Sequence, residues 1–229
     1  MIPVTLGGSD YKAVIPENVL TITGNLRHFV VENIRSARRY LRLIDKRFPL
    51  DDCVFAELNE HTSDAEIPAL LEPVLKGIDI GLMSEAGLAG VADPGSKLIY
   101  LAHLRKVRVI PLSGPSSVIL ALISSGLNGQ KFRFNGYLPV KEAERSSMIK
   151  KLETESCKGY SQIFMETPYR NREMVNSILH TCRSNTLLCI AVDITLNSES
   201  IRTMTISEWK KNVPDLKNRL AIFILQQNH

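Results

Sequence analysis

Residues Gly81–Leu127 read GLMSEAGLAGVADPGSKLIYLAHLRKVRVIPLSGPSSVILALISSGL. Three small-residue turns punctuate this stretch: Ser84-Glu85-Ala86-Gly87, Ala92-Asp93-Pro94-Gly95 and Ser113-Gly114-Pro115-Ser116-Ser117. The apolar runs Ile78–Met83 and Val107–Leu112 read as buried strands, and Lys97–Leu104 and Ser116–Ser125 as apolar-periodic helices. Small residues at the carboxyl ends of parallel strands are where an α/β sheet lets a ligand approach the backbone. The turns therefore predict a ligand cleft.

The same alternation extends outward. Ile2–Leu6 and Cys53–Leu58 are strand-like, Val30–Ile44 carries Val31, Ile34, Leu41 and Ile44 at helical spacing, and Ser63-Asp64 opens a helix with Ile67, Leu70, Leu71, Val74 and Leu75 inward and Gly77 at its end. This order predicts a mostly parallel sheet with helices on both faces. The second half changes rhythm: strands at Phe132–Leu138, Ser161–Glu166, Thr186–Val192, Ile201–Ile206 and Arg219–Leu225 accompany helices at Glu142–Leu152 and from Thr167 to about Cys182. Closely spaced strands predict an antiparallel portion there, hence a mixed sheet. The expected domains are 1–113 and 114–229.

The chain has 229 residues, 44% of them hydrophobic. No apolar run approaches the ~20 residues that span a bilayer, and no signal peptide is expected at the N-terminus. Cys53, Cys157, Cys182 and Cys189 are scattered, as are the histidines at 28, 61, 103, 180 and 229, so neither a disulfide frame nor a metal site is expected. The cysteines read as reduced thiols of a cytoplasmic protein. Seven basic residues (27, 35, 38, 39, 42, 46, 47) against Glu32 and Asp45 give the segment 27–47 a charge of +5, above the chain's net +4. Arg35, Arg38 and Arg39 either bind an anionic partner or form a solvated face with Glu32 paired to Arg35.

With these turns in place, the chain resembles the tetrapyrrole methylase superfamily, and within it a divergent branch of the ribosomal RNA small-subunit methyltransferase I family. The family hallmark Ser-Asp-Ala-Gly-Thr-Pro-x-(Ile/Val)-Ser-Asp-Pro-Gly corresponds to Ser84-Glu85-Ala86-Gly87-Leu88-Ala89-Gly90-Val91-Ala92-Asp93-Pro94-Gly95. Its Pro-Gly-Pro-Ser-Ala is Ser113-Gly114-Pro115-Ser116-Ser117, and its Gly-(Phe/Tyr)-Leu-Pro is Gly136-Tyr137-Leu138-Pro139. Its Glu-Ser-Pro-His-Arg is Glu166-Thr167-Pro168-Tyr169-Arg170, and its Glu-Asp-Thr-Arg-His-Thr-Arg is Glu32-Asn33-Ile34-Arg35-Ser36-Ala37-Arg38. Leu88-Ala89 replaces the hallmark Thr-Pro, and Ala191-Val192-Asp193-Ile194-Thr195-Leu196 lacks the Arg and Lys of the family's corresponding segment.

The resemblance implies two α/β domains with a cofactor cleft between them, and transfer of a methyl group from S-adenosylmethionine to a ribose 2′-hydroxyl of ribosomal RNA. It implies donor contacts from Ser84, Glu85, Ala86, Gly87, Val91, Ala92 and Asp93, from Ser116 and Ser117, and from Met165, Glu166, Ala191 and Asp193. Arg35, Arg38 and Arg39 would contact RNA, and Glu32, Glu60, His61 and Arg170 are candidates on the acceptor side. A homodimer is implied as well. A tetrapyrrole or other small anionic acceptor, or a cofactor-binding protein with weakened catalysis, are the alternative readings.

Overall fold

The computed structural model describes residues 1–227; His229 lies outside the described residues. The chain divides into two compact units, Met1–Ser116 and a second beginning at Ser117.

The first unit contains α1 (Glu17–Asn25), β1 (His28–Val31), α2 (Ile34–Ile44), β2 (Val54–Glu57), the one-turn helices α3 (Ile67–Leu70) and α4 (Glu72–Leu75), β3 (Ile80–Met83) and α5 (Gly95–Leu104). Its three strands run parallel in the order β2-β1-β3. Central β1 is buried on both faces, as a parallel strand under helices must be. Phe29 and Val31 pack with Ala37, Tyr40 and Leu41 of α2, while Val30 packs with Leu82, Ile67, and Leu98 and Ala102 of α5. The helices thus cover both faces.

Several boundaries differ from the sequence expectation, each for a physical reason. The pattern beginning at Val30 is two elements: β1 ends at Val31, and Asn33 caps α2 by accepting the Ser36 N–H at 3.0 Å. The helix expected after Ser63 breaks into α3 and α4, because Pro68 and Pro73 each stand at the start of a new turn. Leu75, expected inward, is 54% exposed.

Ile2–Leu6 and Val107–Leu112 form no ladder strands. Ile2 N–H donates to Leu82 O (2.9 Å), Val4 exchanges bonds with Gly87 (2.9 and 3.1 Å), and Leu112 N–H donates to Met1 O (3.1 Å). Pro3 and Pro111 have no N–H, so pairing cannot become continuous.

Gly114 lies against this N-terminal segment. A Cβ there would stand 2.1 Å from Pro3 Cβ and 2.6 Å from Pro3 Cγ. Gly114→Ala is therefore expected to destabilise the first unit by about 1–3 kcal/mol, the cost of overpacking. Thermal unfolding of the variant checks this, and an unchanged midpoint would contradict it.

The second unit contains α6 (Ser117–Ser125), β4 (Phe132–Tyr137), α7 (Glu142–Ser156), β5 (Ser161–Glu166), α8 (Asn171–Thr181), β6 (Leu187–Val192), β7 (Ser200–Thr205), α9 (Ile206–Trp209) and β8 (Ala221–Gln226). Its sheet order is β4-β5-β8-β6-β7, with β4 and β5 parallel and the other pairs antiparallel. One core cluster joins Ile149 and Leu152 of α7, Met174 and Ile178 of α8, and Phe164, Leu188, Ile190 and Phe223 of the sheet. Two buried polar groups beside it are paired: Arg145 Nε donates to Ser177 Oγ (2.9 Å), and Glu153 accepts from Arg183 N (2.8 Å) and Thr186 Oγ1 (2.6 Å).

Candidate functional site: two polar edges

In the first unit, the polar residues gather where the parallel strands end. Glu32 follows β1, Ser84 follows β3, and the turn Asn59–Thr62 follows shortly after β2. The Glu85 N–H donates to Glu32 Oε2 at 3.0 Å, and Ser36 Oγ donates to Glu85 Oε1 at 3.0 Å. Ile34 N–H donates to Glu57 Oε1 at 3.2 Å. The hallmark turn is thus tied to the start of α2 by carboxylates rather than by apolar packing.

The second part of the hallmark folds around Asp93. Its Oδ1 accepts from Gly90 N–H (2.9 Å) and Gly95 N–H (2.7 Å), and its Oδ2 from Gly90 N–H (2.8 Å). Gly87, Gly90 and Ala92 all have positive φ, at 71°, 88° and 61°. This carboxylate shapes the loop, while Val91 and Ala92 are exposed. Where the hallmark departs, Ala89 is 4% exposed and packs with Val30, Leu82 and Leu98, so this position serves the core.

Burial raises the pKa of Glu32, aided by the charges of Glu85, Asp93 and Glu60 and opposed by the Glu85 N–H. Burial likewise raises Asp93, opposed by the N–H groups of Gly95, Gly90 and Val91. A carboxyl whose folded pKa exceeds its unfolded value subtracts stability where it is ionised, and that cost fades as pH falls through the raised value. Glu32→Gln is therefore expected to raise the unfolding temperature at neutral pH, with the gain disappearing as pH falls to the ordinary value of 4.5. Melting curves across that range check it; a gain that grows at low pH would refute the assignment.

His61 Nε2 lies 3.6 Å from Glu60 Oε1, with both side chains more than four-fifths exposed at 85% and 86%. This pair stands in solvent at the same edge.

On α2, Arg38 lies 3.9 Å from Asp51 and over the Phe55 ring (5.7 Å to the centroid), and Arg42 donates to Lys46 O (2.7 Å). Arg27, before β1, is held by the Gly24 and Leu26 carbonyls at 2.7 Å. Arg35 and Arg39 are exposed, and among the described residues no carboxylate pairs with either. The Glu32–Arg35 pairing weighed from sequence does not form.

In the second unit, Ser117 begins α6, Met165 and Glu166 end β5, and Ala191 lies in β6, fully buried. Glu166 Oε1 accepts from Thr167 N–H (2.7 Å) and from Arg170 Nε and Nη2 (3.0 and 2.6 Å). Its Oε2 is buried without a partner among the described residues. The bond to Glu166 raises the Arg170 pKa further, so this residue is a permanent cation held by one carboxylate. Arg170 also lies over the exposed Tyr169 ring, 5.5 Å from its centroid.

Asp193, at φ 50°, accepts from Arg219 Nε (2.8 Å), Ser198 Oγ (2.8 Å) and Leu220 N–H (3.2 Å). Burial pushes its pKa up, but these donors outweigh it and the net shift is downward. Arg219 and Ser198 were not anticipated from sequence, since 26 residues separate Arg219 from its partner.

The first unit also contains an apolar cavity of about 340 Å³ whose lining includes Leu26, Leu71, Ile80 and Ile99; none of the expected site residues borders it. Among the described residues no cluster of His, Cys, Asp and Glu could hold a metal, and no helix is long and apolar enough to cross a membrane.

The architecture matches known proteins. The methyltransferase CobJ superposes with a TM-score of 0.63 at 13% identity, over 96% of this chain and 91% of that one. Uroporphyrin-III C-methyltransferase from Thermus thermophilus, complexed with S-adenosylhomocysteine, gives 0.54 at 13% identity, over 98% and 96%. The fold is that of the tetrapyrrole methylases.

In sequence, the chain is similar to proteins named ribosomal RNA small subunit methyltransferase I. That of Vibrio cholerae is 29% identical over 205 residues, covering 90% of this chain and 68% of the relative. That of Escherichia coli O157:H7 is 29% identical over 181 residues, covering 79% and 62%. The Buchnera aphidicola protein from Acyrthosiphon pisum is 31% identical over 171 residues, covering 73% and 60%. The chain thus spans about six- to seven-tenths of these relatives' length. No family model matches it.

Proposed function

We propose that the chain is an S-adenosylmethionine-dependent methyltransferase that modifies a ribose 2′-hydroxyl in ribosomal RNA. The observation that carries this reading is the hallmark turn at the carboxyl edge of the parallel sheet, beside two exposed arginines that no carboxylate among the described residues neutralises. The relatives' shared name supports the RNA acceptor.

The residues fit the donor in a specific way. Asp93 consumes three N–H bonds to fold the loop and leaves Val91 and Ala92 exposed for contact. Gly87, buried at φ 71° with its N–H and C=O both bonded to Val4, shapes the turn in which Ser84, Glu85 and Ala86 offer backbone to the methionine part and ribose. Ser116 and Ser117, at the start of α6, suit the donor carboxylate, which the helix dipole favours. Met165, Glu166, Ala191 and Asp193 supply further contacts on this reading. When bound, the sulfonium supplies the methyl group and a thioether leaving group.

Methyl transfer is an in-line displacement, so positioning contributes most of the rate. Arg35 and Arg39 hold phosphates by charge, with Arg38 behind them over Phe55. Glu32, partly buried with a raised pKa, is suited to accept the ribose proton. Glu60 and His61 lie at the same edge and Arg170 is committed to Glu166. The protein works in the cytoplasm as a homodimer on this reading; a monomer mass in sedimentation would contradict the dimer.

Calorimetric titration with S-adenosylmethionine tests the premise. Saturable binding of one donor per chain supports it, and absence of heat overturns it. The fold neighbours that act on uroporphyrin-III favour a second reading, in which the same arginines meet the carboxylates of a tetrapyrrole. Labelled methyl recovered in uroporphyrin-III but not in RNA would select it.

A further inference from the structure

The second unit has a cavity of about 330 Å³ under its edge strand, within the usual range for small ligands. Its apolar side is formed by Ile190 and Val192 of β6, Met204 of β7, and Trp209 at the end of α9. Its polar side is formed by Ser200 and Arg202 of β7, Asn212 and Arg219. Arg219 is fixed by Asp193 and by the Ser198 carbonyl, whereas Arg202 is exposed and has no carboxylate partner among the described residues.

The neighbouring acids make other contacts in this structure. Glu199 accepts the Thr195 N–H (2.7 Å), Glu208 the Thr205 N–H (2.8 Å) in a capping box, and Asp215 the Lys217 N–H (3.0 Å). The segment 210–219, which gives Asn212, Pro214, Leu216 and Arg219 to the lining, also carries Lys210, Lys211 and Lys217, none of which borders the cavity. Arg202 therefore stands as an unneutralised cation, among the described residues, on a pocket that also holds a hydroxyl, an amide and an apolar wall.

From this juxtaposition we propose that the cavity binds an organic phosphate monoester with a compact apolar body. Arg202 meets the phosphate as a two-pronged donor, the Ser200 hydroxyl and Asn212 amide meet the remaining oxygen, and the body rests on Ile190, Val192 and Met204. A carboxylate has only two oxygens, fewer than these donors can engage. The site does not rest on the methyl-transfer reading. A charge on an edge strand is otherwise a guard against strand-to-strand aggregation, which requires no ligand.

Trp209 is the chain's one tryptophan, so its emission reports on this cavity. The test is a titration of the full chain with phenyl phosphate, beside inorganic phosphate, followed by Trp209 fluorescence. Phenyl phosphate is expected to shift the emission saturably and to bind more tightly than inorganic phosphate. Arg202→Ala should weaken it by about tenfold or more, with Arg202→Lys intermediate, in variants that melt at the unchanged temperature. No saturable shift, equal binding of the two phosphates, or undiminished binding by Arg202→Ala would overturn the proposal. So would aggregation of Arg202→Ala with no phenyl phosphate binding by the parent chain. If Arg202→Ala unfolds, Asn212→Ala gives the same reading, since Asn212 is exposed and outside the core.

Discussion

Arg170→Ala is expected to destabilise the second unit by about 3–5 kcal/mol, because it leaves a buried carboxylate without its counter-charge. The Glu166 side chain is 1% exposed and that of Arg170 17%, with 2.6 Å between them. Glu166 Oε2 has no partner among the described residues to offset the loss. The net worth of a buried ion pair is small, but the cost of breaking it from one side is large. The double change Glu166→Gln with Arg170→Ala should therefore cost less than Arg170→Ala alone. Denaturant unfolding of the three variants measures this. Equal loss in the single and double variants would show that Arg170 matters for packing and not for charge.

Asp93→Ala is expected to weaken S-adenosylmethionine binding by roughly a hundredfold while the chain remains folded. The carboxylate accepts from Gly90 through both oxygens and from Gly95 through one, and charge-assisted bonds of this kind are each worth about 1.5–3 kcal/mol. Without them the loop, already at positive φ at Gly90 and Ala92, has no reason to keep its shape. Asp93→Asn keeps one acceptor and should lose less. Protonation removes an acceptor, so parent-chain affinity should be full above the raised Asp93 pKa and fall as pH drops through it. Equilibrium dialysis with labelled donor across pH measures both effects; an Asp93→Ala variant that binds as the parent does would remove Asp93 from the donor site.

The architecture was legible where apolar runs were long and local signals agreed. β5 occupies Ser161–Glu166 as expected, and the crowded late strands do pair antiparallel. The tetrapyrrole methylase resemblance, drawn from the order of the turns, matches the fold. Legibility failed where a local cue was ambiguous. β1 has only four residues and runs into Ile34 of the next helix, so Val31 looked like part of the helical repeat. α1 buries little beyond Val19 and Thr23, too weak a stripe to read, with Gly24 and Asn25 at its end. The alternation Val107, Val109 mimics a strand, but Pro111 and Pro3 deny the donors that a ladder needs.

At the candidate site, the sequence indicated which turns are special but not which atoms shape them. That Asp93 faces its own loop, and that Asp193 is closed by Arg219 and Ser198, depends on backbone geometry that spacing does not encode. The charge of the arginine helix was visible in composition. Its division into engaged Arg38 and Arg42 and unpaired Arg35 and Arg39 required Phe55, Asp51 and Lys46 to be in place.

Methyl transfer to RNA leaves a mark that chemistry can read. Its most direct test incubates the chain with S-adenosylmethionine labelled in the methyl group and with small ribosomal subunits, then digests the RNA in alkali. Label is expected in dinucleotides that resist alkali, because a 2′-O-methyl group removes the hydroxyl that cleaves the adjacent bond. RNA that acquires no label, although the donor binds, would contradict it.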